Sequence, residues 1–270
     1  MTLTTSPTSD SPGDRPERRP AVPRHRWAPQ QHGAWAMLLL PLLLGVAASR
    51  PDPWQVVLGA AALSGYLASA VGQAWFRARR PPALRAPFAI YGSTFAVLGL
   101  ALATAFPALL LAILVIGPAA VVVLGGARPG TRRDLANSLA QVAQALVLVP
   151  AAAYVSGTFE AERVVTATAI AAGYLVGTVL VVRSVLRERG NAIFAGLSVG
   201  FHAALIVLAV VWLPPAYALL AAALTVRAAG LPWLQRRLAG GARPLRPIHV
   251  GLVEIAASVA VVAVAFLVPP

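Results

Sequence analysis

Apolar runs of membrane-spanning length, divided by short polar joints, fill this chain from about residue 29 to its end, and the arginines gather at every second joint. A soluble protein of this size interleaves charge with its core segments. Here Arg227 and Glu254 are the two charges within the apolar runs, the rest fall in the tail and the joints, and the mean hydropathy is +0.74. Each run has the roughly 17–25 residues that a helix needs to cross a bilayer. Nine spans are predicted, near 33–49, 54–76, 87–106, 107–126, 135–156, 164–182, 192–213, 215–234 and 248–269. The joints at Phe106-Pro107 and Pro214-Pro215 contain no polar loop. Proline suits both, because a helix can start on it without losing a needed N–H.

All 22 basic residues are arginine, and the formal net charge is +13. If residue 1 lies in the cytosol, nineteen arginines fall in the inner segments. Only Arg50 and Arg163 fall outside, and Arg227 lies within a span. Basic joints mark the cytosolic side of a membrane protein. The chain is therefore expected to sit in the inner (plasma) membrane as a multi-pass protein, N-terminus in and C-terminus out. Residues 1–28 are rich in Ser, Pro, Arg and Asp and too poor in apolar residues to pack. They are expected to form a disordered, basic cytosolic tail, with the transmembrane domain occupying 29–270. The tail lacks the apolar stretch of a secretory signal.

Several chemistries are excluded by composition. With no cysteine there are no disulfides, thiolate metal sites or cysteine nucleophiles. Two methionines and four histidines leave little for haem or copper. There is no phosphate-binding glycine loop, no GxSxG and no HExxH. No cofactor, no metal and no nucleic-acid partner is expected.

Polar residues within the spans tend to share helix faces. At about 100° per residue, Tyr66, Gln73 and Arg77 form one stripe on the second span. Asp134, Asn137, Gln141 and Gln144 form another on the fifth. Arg183 and Arg187 are one turn apart at the end of the sixth, and Asn191, Ser198 and His202 line the seventh. All four stripes start at the arginine-bearing side and run about 15 Å inward. Together they predict a pocket open to the cytosol, lined by Gln73, Arg77, Asn137, Gln141, Arg183, Arg187 and Asn191, with His202 deeper. The competing reading is hydrogen-bonded helix packing, aided by Gly173/Gly177 and Gly196/Gly200. Arg227 and Glu254 lie at similar depths on the last two spans and are expected to pair, since lone charges in lipid are expensive. Glu254 also reads as a proton or cation site, and His202 as a proton relay.

Three stretches carry a family resemblance: PQQHGAWAMLLLP (29–41), VRSVLRERGN (182–191) and GLVEI (251–255). Together they resemble the YwiC-like family of bacterial integral membrane proteins, which implies a membrane fold without implying a reaction. In QHGAWAM, Trp35 suits the membrane interface, and Gln30, Gln31 and His32 fall at a helix start. Nine helices with N in and C out also resemble, at fold level, the UbiA-type intramembrane prenyltransferases. That resemblance implies a cytosol-facing cavity for a prenyl diphosphate, held through Mg²⁺ by two aspartate-rich loops. The matching loops here, WFRARRPPALR and RSVLRERGN, contain one carboxylate between them, Glu188. None of the catalytic aspartates carries over, and arginines would have to hold a phosphate directly.

The leading expectation is thus an integral membrane protein that takes membrane lipids as partners and binds an anionic or isoprenoid lipid in a cytosol-facing cavity. The alternatives are a small-solute transporter or permease, and a non-catalytic membrane scaffold. No internal repeat of the kind common in transporters is evident.

Overall fold

The computed structural model describes residues 32–77, 82–126, 135–239 and 245–269. Every regular element among them is helical. Ten α-helices follow in order: α1 (His32–Ala47), α2 (Pro53–Arg77), α3 (Arg85–Ala105), α4 (Ile113–Gly125), α5 (Leu135–Leu146), α6 (Leu148–Val155), α7 (Ala161–Leu186), α8 (Ala192–Trp212), α9 (Pro215–Ala239) and α10 (Pro247–Leu267). Among the described residues eight segments are long and apolar enough to cross a membrane, and α1 adds a shorter apolar helical stretch, Trp35–Ala47, at the place of the first predicted span. The nine spans read from the sequence are therefore present as helix. The chain is an integral, multi-pass membrane protein.

Two spans carry breaks. The fourth opens with a 3₁₀ turn, Pro107–Ala112, before α4 begins. Phe106, at φ −135° and ψ 74°, forms the joint between α3 and that turn. The fifth span is divided into α5 and α6 at Val147. Pro150 explains the break, because it has no N–H to offer the Leu146 carbonyl four residues back.

Helices α1 and α7 form the axis of the bundle. Helix α1 packs against α2, α5, α6, α7 and α10, and α7 packs against α1, α5, α6, α8, α9 and α10. Leu40 and Leu44 of α1 meet Val149 of α6, Ala167, Ala171 and Leu175 of α7, and Val261 of α10 in one buried cluster. Gly45 lets α1 and α6 approach this closely. A Cβ there would lie 2.6 Å from the Val149 carbonyl oxygen and 2.7 Å from the Ala152 Cβ. The α2–α3 pair, α4 and the α8–α9 pair lie around this axis. Their apolar side chains point outward, as lipid contact requires: Val97, Leu100, Leu114, Val121, Val211 and Leu219 are all exposed.

At the end that carries Arg50, the α1–α2 joint is tied to α6. Buried Gln55 donates from Nε2 to the Ser49 hydroxyl and to the carbonyls of Arg50 and Ala152, each at 3.1 Å. Its Oε1 accepts from the Asp52 N–H at 3.0 Å. With no water available in lipid, such internal partners for loop carbonyls hold the joint in place.

Candidate functional site

The buried charges of the bundle meet between α7, α8, α9 and α10. Arg227 Nη1 donates to Glu254 Oε2 at 2.7 Å, with side-chain exposures of only 8% and 4%. Thr178 donates to the same carboxylate oxygen at 2.9 Å. The second guanidinium nitrogen, Nη2, lies 3.5 Å from His202 Nε2. On the other side of that ring, Nδ1 lies 2.7 Å from the Ser198 carbonyl. A carbonyl can only accept, so Nδ1 carries the proton and Nε2 turns its lone pair to Arg227. The guanidinium also lies 5.6 Å from the Tyr174 ring centroid, within cation–π range. Tyr174 donates to the Glu254 carbonyl at 3.0 Å and shares a 2.8 Å hydrogen bond with Ser258.

Three of the four contributing helices supply polar residues one turn apart: Tyr174 and Thr178 on α7, Ser198 and His202 on α8, Glu254 and Ser258 on α10, while α9 supplies Arg227 alone. That spacing puts each pair on one face. Two glycines let α8 approach α7. A Cβ on Gly177 would lie 2.8 Å from His202 Nε2, and one on Gly173 would lie 3.1 Å from Leu205. By residue count, at about 1.5 Å each, the cluster is roughly 10–18 Å from the arginine-bearing end, near the middle of a bilayer about 30 Å thick. Three buried polar atoms here lack a partner: Ser198 Oγ, Arg227 Nε and Glu254 Oε1.

A second group forms at the arginine-bearing ends of α7, α8 and α9. Arg183, in the last turn of α7, reaches Glu188 at 3.5 Å, and its Nε and Nη1 are buried without partners. Its guanidinium lies 6.0 Å from the Phe194 ring centroid. Asn191 caps α8: its Oδ1 accepts from the Phe194 N–H at 3.1 Å and its Nδ2 donates to Glu188 at 3.3 Å. Gly190, at φ +81°, allows the tight turn between the two helices. Glu188, Arg189, Asn191, Gln235 and Arg236 line a small cleft here. It continues into an open groove of about 350 Å³ between α8 and α9, lined by Ala195, Gly196, Val199, Ala228, Pro232 and Arg236. Gly196 and Gly200 have open space where a Cβ would be, so this pair does not mediate helix packing within the chain.

The site residues read from the sequence thus divide into groups. Arg183 and Asn191 are linked through Glu188, and Arg187 is exposed at the end of α7. His202 joins Arg227 and Glu254. Gln73 bonds within α2 to Ser69 at 3.3 Å. Asn137 accepts from Gln141 at 3.3 Å, and Gln144 donates to the Ile116 carbonyl at 3.3 Å, which directs the α5 stripe toward α4. The side chain of Arg77 and all of Asp134 lie outside the described residues. Tyr174, Thr178 and Ser258 were not singled out in the sequence. Their signal was the one-turn spacing of polar pairs, which is faint because hydroxyls are common in membrane helices.

Residues 28–154 match the family model of the YwiC-like protein. The matched segment takes in the QHGAWAM stretch and continues into α6. VRSVLRERGN, GLVEI and the whole interior cluster lie beyond it. No curated protein and no solved structure matches the chain.

Proposed function

We propose that this is a multi-pass protein of the inner (plasma) membrane, N-terminus in the cytosol and C-terminus outside, that binds an anionic phosphate-bearing lipid, acyl or isoprenoid, at its cytosolic end between α7, α8 and α9. The observation that carries this reading is Arg183. Its side chain is only 14% exposed, its one ion-pair contact, to Glu188, is long at 3.5 Å, and two of its guanidinium nitrogens are buried without a hydrogen-bond partner. Unmet donors on a buried cation are expensive, and an anion is their natural complement. Arg187, Arg189 and Arg236 add positive charge at the same end, outweighing Glu188. The groove that continues from this cleft is open and floored by Ala, Gly, Val and Pro. A hydrocarbon chain can lie along such a surface while its headgroup stays with the arginines.

The test is extraction and mass spectrometry of lipid from gently purified protein. An anionic or isoprenoid lipid should be enriched over bulk membrane with the natural chain. It should remain with Arg163→Gln, at the opposite end, and be lost with Arg183→Gln combined with Arg236→Gln. Equal lipid in all three preparations removes the basis for the reading.

A further inference from the structure

We infer that Glu254 Oε1 is an intramembrane proton-binding site, placed so that taking up a proton loosens the hold of α7 and α9 on α10. The two carboxylate oxygens are unlike. Oε2 accepts from Arg227 and Thr178, whereas Oε1 is buried with no donor. Among the described buried atoms without a partner, it is the one carboxylate oxygen and can only accept. A bare anionic oxygen in a low-dielectric interior favours a proton or a cation. The Arg227 guanidinium on the other oxygen repels a metal ion, and no group of three potential metal ligands exists among the described residues. A proton needs only one lone pair.

The groups facing Glu254 define what that proton does. Helix α7 presents Tyr174 and Thr178, α9 presents Arg227, and α8 presents His202 through Arg227. Helix α1 also packs on α10, and it has no ionisable residue between Trp35 and Ala47. With Glu254 ionised, Arg227 and Glu254 cancel. A proton from solution bonding to Oε1 converts the carboxylate to a neutral acid and leaves the cluster with one net positive charge. Arg227 keeps the His202 lone pair and the Tyr174 ring but loses its counter-charge on α10. The links from Arg227 and Thr178 to α10 end on that carboxylate, so proton uptake and helix docking are coupled through them, while the Tyr174 bonds to the Glu254 backbone carbonyl and to Ser258 stay as they are.

The experiment is pH-difference infrared spectroscopy of the full chain in lipid vesicles, read at the C=O stretch of protonated carboxyl groups. Between pH about 4 and about 9, which brackets ordinary carboxyl titration, the natural chain should show a titrating carboxyl component that Glu254→Gln lacks. Thr178→Val keeps the carboxyl and removes one donor to its charged form. It should shift that component upward by roughly one pH unit or more, as loss of a hydrogen bond to a charged group implies. If Glu254→Gln fails to insert, the Thr178→Val shift alone decides. Spectra that do not differ between the natural chain and the variants over this range would show Glu254 to be a fixed structural charge and overturn the proposal.

Discussion

Separating Arg227 from Glu254 is the most direct way to weigh the interior cluster. With charge centres roughly 4 Å apart and an effective dielectric near 20, their attraction is about 4 kcal/mol. Removing one partner also strands the other, and breaking a buried pair typically costs about 3–5 kcal/mol. The two single variants should differ. Glu254→Gln leaves a guanidinium that cannot give up its charge, with only the 3.5 Å contact to His202 and the Tyr174 ring to soften it. Arg227→Gln leaves a carboxylate that can neutralise itself by taking a proton, which limits the loss. Glu254→Gln should therefore be the more damaging, near the upper end of that range, and the double variant should be much less destabilised than the two losses added. The assay is reversible unfolding in mixed micelles, with a double-mutant cycle drawn from the four chains. Additive losses, with a coupling below about 0.5 kcal/mol, would show that the 2.7 Å contact contributes nothing as a pair and that the reasoning is wrong.

Other measurements follow from the same contacts. Gly177→Ala places a methyl group 2.8 Å from His202 Nε2 and should cost about 1–3 kcal/mol by the same assay, whereas Gly230→Ala, which meets open space, should stay within about 0.5 kcal/mol. Gln55→Leu strands the carbonyls of Arg50 and Ala152 and should destabilise by about 1–3 kcal/mol; no change would show that the α1–α2 joint does not depend on that side chain. A reporter fused after Pro270 should be active outside and one inserted in the 78–81 joint active in the cytosol; the reverse at both sites would invert the proposed orientation.

The spans were legible because apolar length is a local property. Nothing outside residues 164–182 was needed to see that they cross a bilayer. The breaks were less so. Pro150 was visible, yet the division of α5 from α6 at Val147 depends on which carbonyl that proline leaves unserved. The 3₁₀ start of the fourth span reflects how the chain turns at Phe106, where no polar residue marks the corner.

The site residues differ for a deeper reason. Periodicity tells which polar side chains share a face, but it does not say which helix that face meets. Asn137 and Gln144 share a stripe that turns to α4, while Ser198 and His202 share one that turns inward. Both stripes begin at the same end of the membrane and look alike in sequence. What separates them in the structure is the glycine pair on α7. The absence of a side chain at Gly177 leaves room for the His202 ring, whose Nε2 lies 3.5 Å from the Arg227 guanidinium. The charge on Arg227 then gives the histidine a role that spacing within α8 does not contain. Charged residues were easier, because a lone Arg227 or Glu254 in lipid demands a partner from somewhere and the neighbouring span at equal depth supplies the nearest one. Polar but uncharged residues make no such demand, and for them the deciding information lies in the small residues of the opposing helix.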